Sequence, residues 1–151
     1  MQLVKKSFNV RDRINDCCSG FRDTVKHQFI LEGELDICVH ADEQQIEQVM
    51  ANLIGNTVKY APGSPEIIIK AERMVDAVKI SVGDKGPGVP PEKLHYLFDR
   101  YYRADYSGIQ YSGLGLGLYI SSEIIKKHGG EIGVDSEPGK GSTFWFTLPL
   151  E

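Results

Sequence analysis

The sequence has no long hydrophobic run and few cysteines, and each shortage excludes a class of protein. No apolar stretch approaches the ~18–20 residues that a membrane-spanning helix needs. The first six residues, MQLVKK, lack the hydrophobic segment of a signal peptide. We therefore expect a soluble, cytoplasmic chain without direct membrane contact, which can still be the cytoplasmic part of a membrane-anchored protein.

Cysteine is too scarce for a disulfide framework. The three cysteines, Cys17, Cys18 and Cys38, have no metal-ligand spacing with any of the four histidines. A redox pair of Cys17 and Cys18 is disfavoured, because a bridge between neighbours is strained and nothing nearby favours a thiolate. A reducing compartment fits this cysteine usage best.

Charge of one sign is not concentrated either. The 17 Lys and Arg residues against 21 Asp and Glu give a formal net charge of −4, which offers no electrostatic reason to expect nucleic acid as a partner. With 41% hydrophobic and 25% charged residues, the composition is that of an ordinary globular protein. We expect a single domain over residues 1–151, monomeric when isolated.

Hydrophobic periodicity predicts alternating helices and short strands. The predicted elements are an extended entry at 8–10, a helix at 11–26, strands at 28–31 and 37–40 around a turn at 32–34, a helix from the N-cap Asp42 to about 60, a hairpin of 66–72 and 77–82, a short helix at 92–98, a loop at 99–113, a helix at 114–128 and a hairpin of 131–136 and 142–148. Strands adjacent in sequence mostly pair antiparallel, and helices of this length cover one face of a sheet. We therefore expect an α+β fold, a two-layer α/β sandwich with a mixed, mostly antiparallel sheet and three helices on one face.

A polar stripe runs along the best-defined helix. Asn52, Asn56 and Lys59 share this stripe with Gln45 and Gln48, at the border of the apolar face. A solvated helix edge explains such residues without any function. A magnesium–nucleotide site also fits, because an Asn oxygen is a hard donor for the ion and a nearby lysine can meet phosphate.

Two glycine-rich segments add a second indication. Asp84 opens the segment DKGPG, where its carboxylate could accept a hydrogen bond from the amino group of adenine. A plain Asp-Gly turn is the simpler alternative. The segment GLGLGL at 113–118 directly precedes a predicted helix, whose N-terminal N–H groups favour phosphate. A dinucleotide-binding fingerprint is disfavoured because the spacing is Gly-x-Gly-x-Gly, and a P-loop because no Lys-Ser/Thr pair follows.

These segments together are more specific than any one of them, and the chain resembles the catalytic, ATP-binding domain of bacterial sensor histidine kinases. The wider group includes gyrase, heat-shock chaperone and mismatch-repair ATPases, with a Bergerat-type fold. The resembling segments are the N box at 42–60, the first glycine box DKGPGV at 84–89, the F box FDRYYRAD at 98–105, the second glycine box GLGLGL at 113–118 and the last, GKGSTF, at 139–144. Ser112 and Leu114 depart from the Gly and Thr that many relatives carry.

The resemblance implies roles for individual residues. Asn56 would be the Mg²⁺ ligand, Asn52 would lie near the attacking end of the γ-phosphate, and Lys59 and Arg103 would contact phosphate. Asp84 would hold the adenine amino group, and Thr143 would support the adenine directly or through water. The other nucleotide-binding positions that it implies are Tyr60, Gly86, Gly88, Val89, Tyr102, Gly113, Leu114, Gly115, Leu116, Gly117 and Leu118. Phe98 would pack rather than bind, and His128 would have no catalytic role.

The resemblance implies a function that needs a second domain. Histidine kinases phosphorylate a histidine in a His-Glu-hydrophobic-basic context, and His27, His40, His95 and His128 all lack it. The expected activity is therefore transfer of the γ-phosphate of Mg-ATP to a histidine on a separate dimerisation domain, upstream of a response regulator, with a nucleotide-dependent lid at about 100–113. One alternative is a nucleotide-sensing module. Another, an ATPase clamp, is disfavoured because residue 52 is Asn where the clamps use a water-activating Glu.

Overall fold

The structure is a computed structural model that describes residues 2–22, 28–61, 63–89, 92, 97–98 and 117–150, with only the backbone of Arg22, Lys59 and Tyr60. Its elements in chain order are β1 (Lys6–Asn9), α1 (Val10–Arg22), β2 (Gln28–Gly33), β3 (Cys38–Ala41), α2 (Glu43–Tyr60), β4 (Glu66–Arg73), β5 (Ala77–Asp84), α3 (Gly117–Lys127), β6 (Ile132–Glu137) and β7 (Gly141–Pro149). The predicted short helix at 92–98 and loop at 99–113 lie largely or wholly outside the described residues.

The main sheet is mixed and mostly antiparallel, as the sequence predicted. Its strand order is β2-β4-β5-β7-β6, with β2 parallel to β4 and the other neighbours antiparallel. The two hairpins, β4–β5 and β6–β7, are neighbours in this sheet. A separate two-stranded sheet joins β1 to β3. The predicted two-layer α+β sandwich is therefore confirmed.

The expected pairing of the strands at 28–31 and 37–40 is wrong. β2 lies alongside β4, and Glu34 continues in that direction by donating its N–H to the carbonyl of Ala71. The chain therefore does not reverse at Gly33, where a hairpin would have to turn. Leu35 and Ile37 enter the core, and β3 pairs with β1 instead.

The core lies between the three helices and one face of the sheet. Every second residue of β4, β5 and β7 is buried there, as the two-residue repeat of a strand requires. The residues buried on the sheet side are Ile67, Ile69, Ala71, Val78, Ile80, Val82, Phe144, Phe146 and Leu148, and those on the helix side include Ile14, Ile46, Val49, Leu53, Leu118 and Ile125. No helix over the described part of the chain is both long and apolar enough to cross a bilayer.

Both adjacent cysteines belong to this core. Cys17 and Cys18 of α1 are both buried, and neither forms a disulfide. Burial raises the pKa of the Cys17 thiol to about 12, because the thiolate would lose its hydration. The neutral thiol therefore packs as a small hydrophobic side chain, in line with the low expectation for a redox pair.

Asp42 and His128 fix the relative position of α2 and α3. Asp42 caps α2 by accepting from the N–H of Gln45 at 3.3 Å, and its other carboxylate oxygen accepts from the N–H of Val4 at 3.0 Å. Its own N–H donates to Nε2 of His128 at 3.0 Å, while Nδ1 of that ring lies 2.8 Å from the carbonyl of Ile124. Since Nε2 accepts and the carbonyl can only accept, Nδ1 carries the proton and the ring is neutral. His128 is thus a buried structural residue.

α3 ends where the sequence predicted. Gly129 has a φ of 77°, the left-handed conformation that closes many helices. At Gly130 a Cβ would lie 2.0 Å from the carbonyl oxygen of Thr147, so β7 approaches the chain too closely for any side chain there. The Gly-Gly pair therefore stops the helix and lets β6 begin against the sheet.

Candidate functional site

The amide stripe of α2 lies at the edge of the helix layer. Asn52 and Asn56 are half-buried, while Gln48 is exposed. Val49 and Leu53 on the adjoining face are fully buried against the core, which fixes the rotation of the helix about its axis. Lys59 and Tyr60 occupy the last turn of α2, and their side chains lie outside what the structure describes. The helix thus holds the two asparagine side chains in a defined place.

Asn52 joins this stripe to the first turn of α3. Its Nδ2 donates to the carbonyl of Gly117 at 3.2 Å and to Oγ of Ser121 at 3.1 Å. Leu118, in the same turn, is buried in the core rather than open to a ligand. The structure therefore brings Asn52 and Gly117 together, as expected for a site between the N box and the second glycine box.

The donor set on α2 fits magnesium. Among the described residues no group of three or more His, Cys, Asp or Glu side chains could hold a metal ion. The side-chain oxygens of Asn52 and Asn56, one turn apart on α2, are hard donors. Magnesium commonly takes only one or two protein ligands and completes its shell with substrate phosphates and water. Such an ion would arrive with a nucleotide rather than be caged by the protein alone.

Asp84 ends β5 at the other side of the site. One carboxylate oxygen accepts from the N–H of Gly86 at 2.8 Å and from the N–H of Ser142 at 3.4 Å, and the other accepts from Oγ of Ser142 at 3.0 Å. The bond to Gly86 is the Asp-Gly turn that was the simpler reading of this segment. The bonds to Ser142 add a tie to β7, so the carboxylate is held in one orientation from two elements.

The first glycine box is tightly packed. At Gly86 a Cβ would lie 2.4 Å from Cβ of Ala61, just after α2. Gly88 has a φ of 75°, and a Cβ there would lie 2.3 Å from the carbonyl oxygen of Glu137. Val89 is buried and its N–H donates to Oγ of Ser136 at 2.6 Å. These positions have structural reasons of their own, whether or not they also shape a ligand pocket.

Ser142, and not Thr143, is the residue of β7 that hydrogen-bonds Asp84. Phe144 and Phe146 face the core, and Ser142 shares their side of β7 because strand side chains alternate. Thr143 faces the opposite side, where it lines a groove with Gly83, Asp84 and Trp145. The alternation of Phe144, Phe146 and Leu148 with polar residues is the signal in the sequence that puts Ser142 and Thr143 on opposite faces of β7.

Several expected site residues cannot be placed. Tyr102, Arg103, Gly113, Leu114, Gly115 and Leu116 lie outside the described residues, as does the expected lid at 100–113. Phe98 is described, and its ring meets that of Phe144 edge to face at 6.4 Å between centroids. This contact agrees with the packing role expected for Phe98.

Solved structures share this architecture. The nucleotide-free catalytic domain of histidine kinase ThkA superposes with a TM-score of 0.84 at 29% identity, covering 99% of this chain and 99% of that one. Full-length ShkA in complex with AMPPNP gives a TM-score of 0.85 at 26% identity, covering 99% of this chain and 32% of that one.

Curated relatives are longer sensor proteins. The adaptive-response sensory kinase SasA of Thermosynechococcus vestitus is 36% identical over 155 residues, 99% of this chain and 40% of the relative. The sensor histidine kinase WalK of Bacillus subtilis is 41% identical over 119 residues, 77% of this chain and 20% of the relative. The chain therefore spans well under half the length of these relatives.

A family model matches most of the chain. It covers residues 41–151, from the end of β3 through both glycine segments to the last residue. The matched region includes the amide stripe, Asp84 and Ser142. The chain belongs to the family of histidine kinase-, DNA gyrase B- and HSP90-like ATPases.

Proposed function

We propose that this chain is the catalytic lobe of a two-component sensor kinase, which binds Mg-ATP and transfers the γ-phosphate to a histidine on a separate dimerisation domain. The observation that carries the proposal is the contact between Asn52 and the first turn of α3. It joins the amide stripe to a helix N-terminus, and a magnesium-bound triphosphate needs both.

The adenine end of the site would be Asp84 with Ser142. The fixed carboxylate can accept a hydrogen bond from the amino group of adenine, which a guanine lacks at that position. Ser142, whose Oγ bonds the carboxylate at 3.0 Å, takes the supporting role that the resemblance gave to Thr143. Gly86 and Gly88 would leave room for the base, and Val89 would support it from the core.

The phosphate end would lie between α2 and α3. Asn56 would hold the magnesium ion, which neutralises phosphate charge when bound, and Lys59 and Arg103 would contact the phosphates. The backbone N–H groups of the second glycine box, from Gly113 through Leu118, would face the phosphate oxygens. Tyr60 and Tyr102 would flank the nucleotide.

Asn52 favours a kinase over an ATPase clamp. An amide cannot take a proton from water at neutral pH, whereas a carboxylate can. A neutral histidine already has a nucleophilic lone pair, so transfer to it needs little help from a base. Bound ATP would then stay unhydrolysed until the acceptor histidine reaches the site.

The partners follow from the relatives. The ThkA kinase has been solved in complex with the response regulator protein TrrA, at 28% identity to this chain. We infer a dimerisation domain as the direct partner and a response regulator downstream, with no nucleic acid or direct membrane contact. The chain itself would be one monomeric domain in the cytoplasm.

Mixing experiments test this function directly. The chain is incubated with candidate dimerisation domains of sensor kinases, Mg²⁺ and ATP labelled at the γ-phosphate. We expect an acid-labile, alkali-stable label on one of those domains, as phosphohistidine gives. The matched control is Asn56→Ala, which should label nothing. Binding of ATP without labelling of any domain would favour the nucleotide-sensing alternative.

A further inference from the structure

The Asn52 amide uses its nitrogen, and not its oxygen, to contact α3. Nδ2 lies 3.2 Å from the carbonyl oxygen of Gly117 and 3.1 Å from Oγ of Ser121. Because a backbone carbonyl only accepts hydrogen bonds, the amide nitrogen must be the atom that faces Gly117. The nitrogen carries two hydrogens, and these two contacts use both. Asn52 is left with only its oxygen to offer the rest of the site.

Of the two groups that accept from Nδ2 of Asn52, only the Ser121 hydroxyl can be removed by a substitution. The Gly117 acceptor belongs to the backbone, whereas the second acceptor is a side chain. Ser121 is 0% exposed, and a buried hydroxyl without a partner costs free energy. Ser122, the next residue of α3, is also buried, at 6% exposure, but is not one of the hydrogen-bond partners of the Asn52 side chain. The two serines therefore differ in this one respect.

We propose that Ser121 is a positioning residue for phosphotransfer, which holds the Asn52 amide with its nitrogen toward α3 and its oxygen toward the nucleotide. The proposal rests on the proposed function, in which Asn52 lies near the γ-phosphate. Loss of the Ser121 hydroxyl leaves one amide hydrogen without its acceptor, so the side chain can leave this orientation. A displaced group beside the reacting atoms slows the chemical step more than it weakens binding.

Steady-state kinetics with the labelled acceptor domain test this role. We expect Ser121→Ala to lower kcat about three- to tenfold, the range for one neutral hydrogen bond. KM for ATP should change by less than about twofold, and the matched control Ser122→Ala should retain the parent kcat. Equal kcat in Ser121→Ala and the parent would overturn the proposal, as would equal losses in both serine variants. If the parent labels no histidine, the proposed function fails instead.

Proton exchange of the side-chain amide tests the geometry without any partner or nucleotide. In the parent chain, the Nδ2 hydrogens of Asn52 should exchange with solvent at least about tenfold more slowly than the side-chain amide hydrogens of the exposed Gln48. Ser121→Ala should speed the exchange at Asn52 and leave Gln48 unchanged. Equal exchange at Asn52 and Gln48 in the parent contradicts the proposal, even if Ser121→Ala fails to fold.

Discussion

At the residue scale, the carboxylate of Asp84 is the group that would recognise adenine. Asp84→Asn keeps the shape and can still bond Gly86, but places a donor where the adenine amino group would donate. An unpaired donor and a lost charged hydrogen bond cost about 1.5–3 kcal/mol. Affinity for Mg²⁺ with a non-hydrolysable ATP analogue should therefore fall ten- to hundredfold by calorimetry. Unchanged affinity would remove Asp84 from the site.

Ser142 and Thr143 are neighbours on opposite faces of β7, which makes them a matched pair. Ser142→Ala removes the hydroxyl that bonds Asp84 at 3.0 Å, so it should weaken the same nucleotide analogue by about three- to tenfold. Thr143→Ala removes no hydrogen bond to Asp84 and should leave affinity at the parent value. If Thr143→Ala weakens binding of the analogue in the same titrations and Ser142→Ala does not, Thr143 and not Ser142 supports the adenine.

Gly88 is required by the backbone, in addition to any part it has in the nucleotide site. Its φ of 75° and the 2.3 Å approach of the Glu137 carbonyl leave no room for a Cβ. Gly88→Ala should lower the free energy of unfolding by roughly 1–3 kcal/mol in urea. Gly20→Ala is the control, since nothing lies within 4 Å of its Cβ position in α1, and it should stabilise by roughly 0.5–1 kcal/mol. An equal change in the free energy of unfolding for the two variants would contradict the close approach of the Glu137 carbonyl to Gly88.

At the element scale, Asp42 ties α2 to the N-terminal segment and to α3. The N–H groups of Val4 and then of Gln45 hold the pKa of this carboxyl below its ordinary 3.8. A depressed folded-state pKa gives stability that is complete above that ordinary value and is lost as the pH falls through the folded-state pKa. Asp42→Ala should destabilise the chain by about 0.5–2 kcal/mol at neutral pH.

The pH dependence separates the charge of Asp42 from its shape. Urea unfolding of the parent and of Asp42→Asn, at pH values from 7 down through the carboxyl range, gives the measurement. The parent should lose more stability than Asp42→Asn on acidification, because an amide does not titrate there. Parallel curves for the two proteins would mean that the Asp42 charge does not contribute.

Elements with strong periodicity were predictable, while their distant partners were not. α2, the β4–β5 and β6–β7 hairpins and the glycine stop after α3 follow from local patterns. The β2–β4 pairing and the bond between Asp42 and His128 join segments far apart in sequence, 86 residues in the second case. Local periodicity carries no information about such pairs, so the predicted β2–β3 pair was wrong. The bond between Ser142 and Asp84 is a different case, because the alternation along β7 already places Ser142 on the core side with Phe144.

At the scale of the whole molecule, the fold brings distant motifs to one place. Asn52 and Gly117 are 65 residues apart in the chain, and Asp84 and Ser142 are 58 apart, yet each pair is hydrogen-bonded. The motifs in the sequence therefore indicated segments that the fold brings into contact in pairs. They could not predict the direction of the Asn52 amide or the part played by Ser121, because these depend on side-chain geometry between helices.

The central claim is that the site transfers the γ-phosphate of ATP to a histidine and not to water. The most direct test is the steady rate of ATP hydrolysis by the chain alone, measured beside calorimetric binding of Mg-ATP. Positioned proton transfer by a base contributes typically ~10²–10⁴-fold, and Asn52 cannot supply it. We expect clear binding of Mg-ATP by the parent, with hydrolysis close to background in both the parent and Asn56→Ala. Rapid turnover by the parent that Asn56→Ala abolishes would contradict the kinase assignment and favour an ATPase.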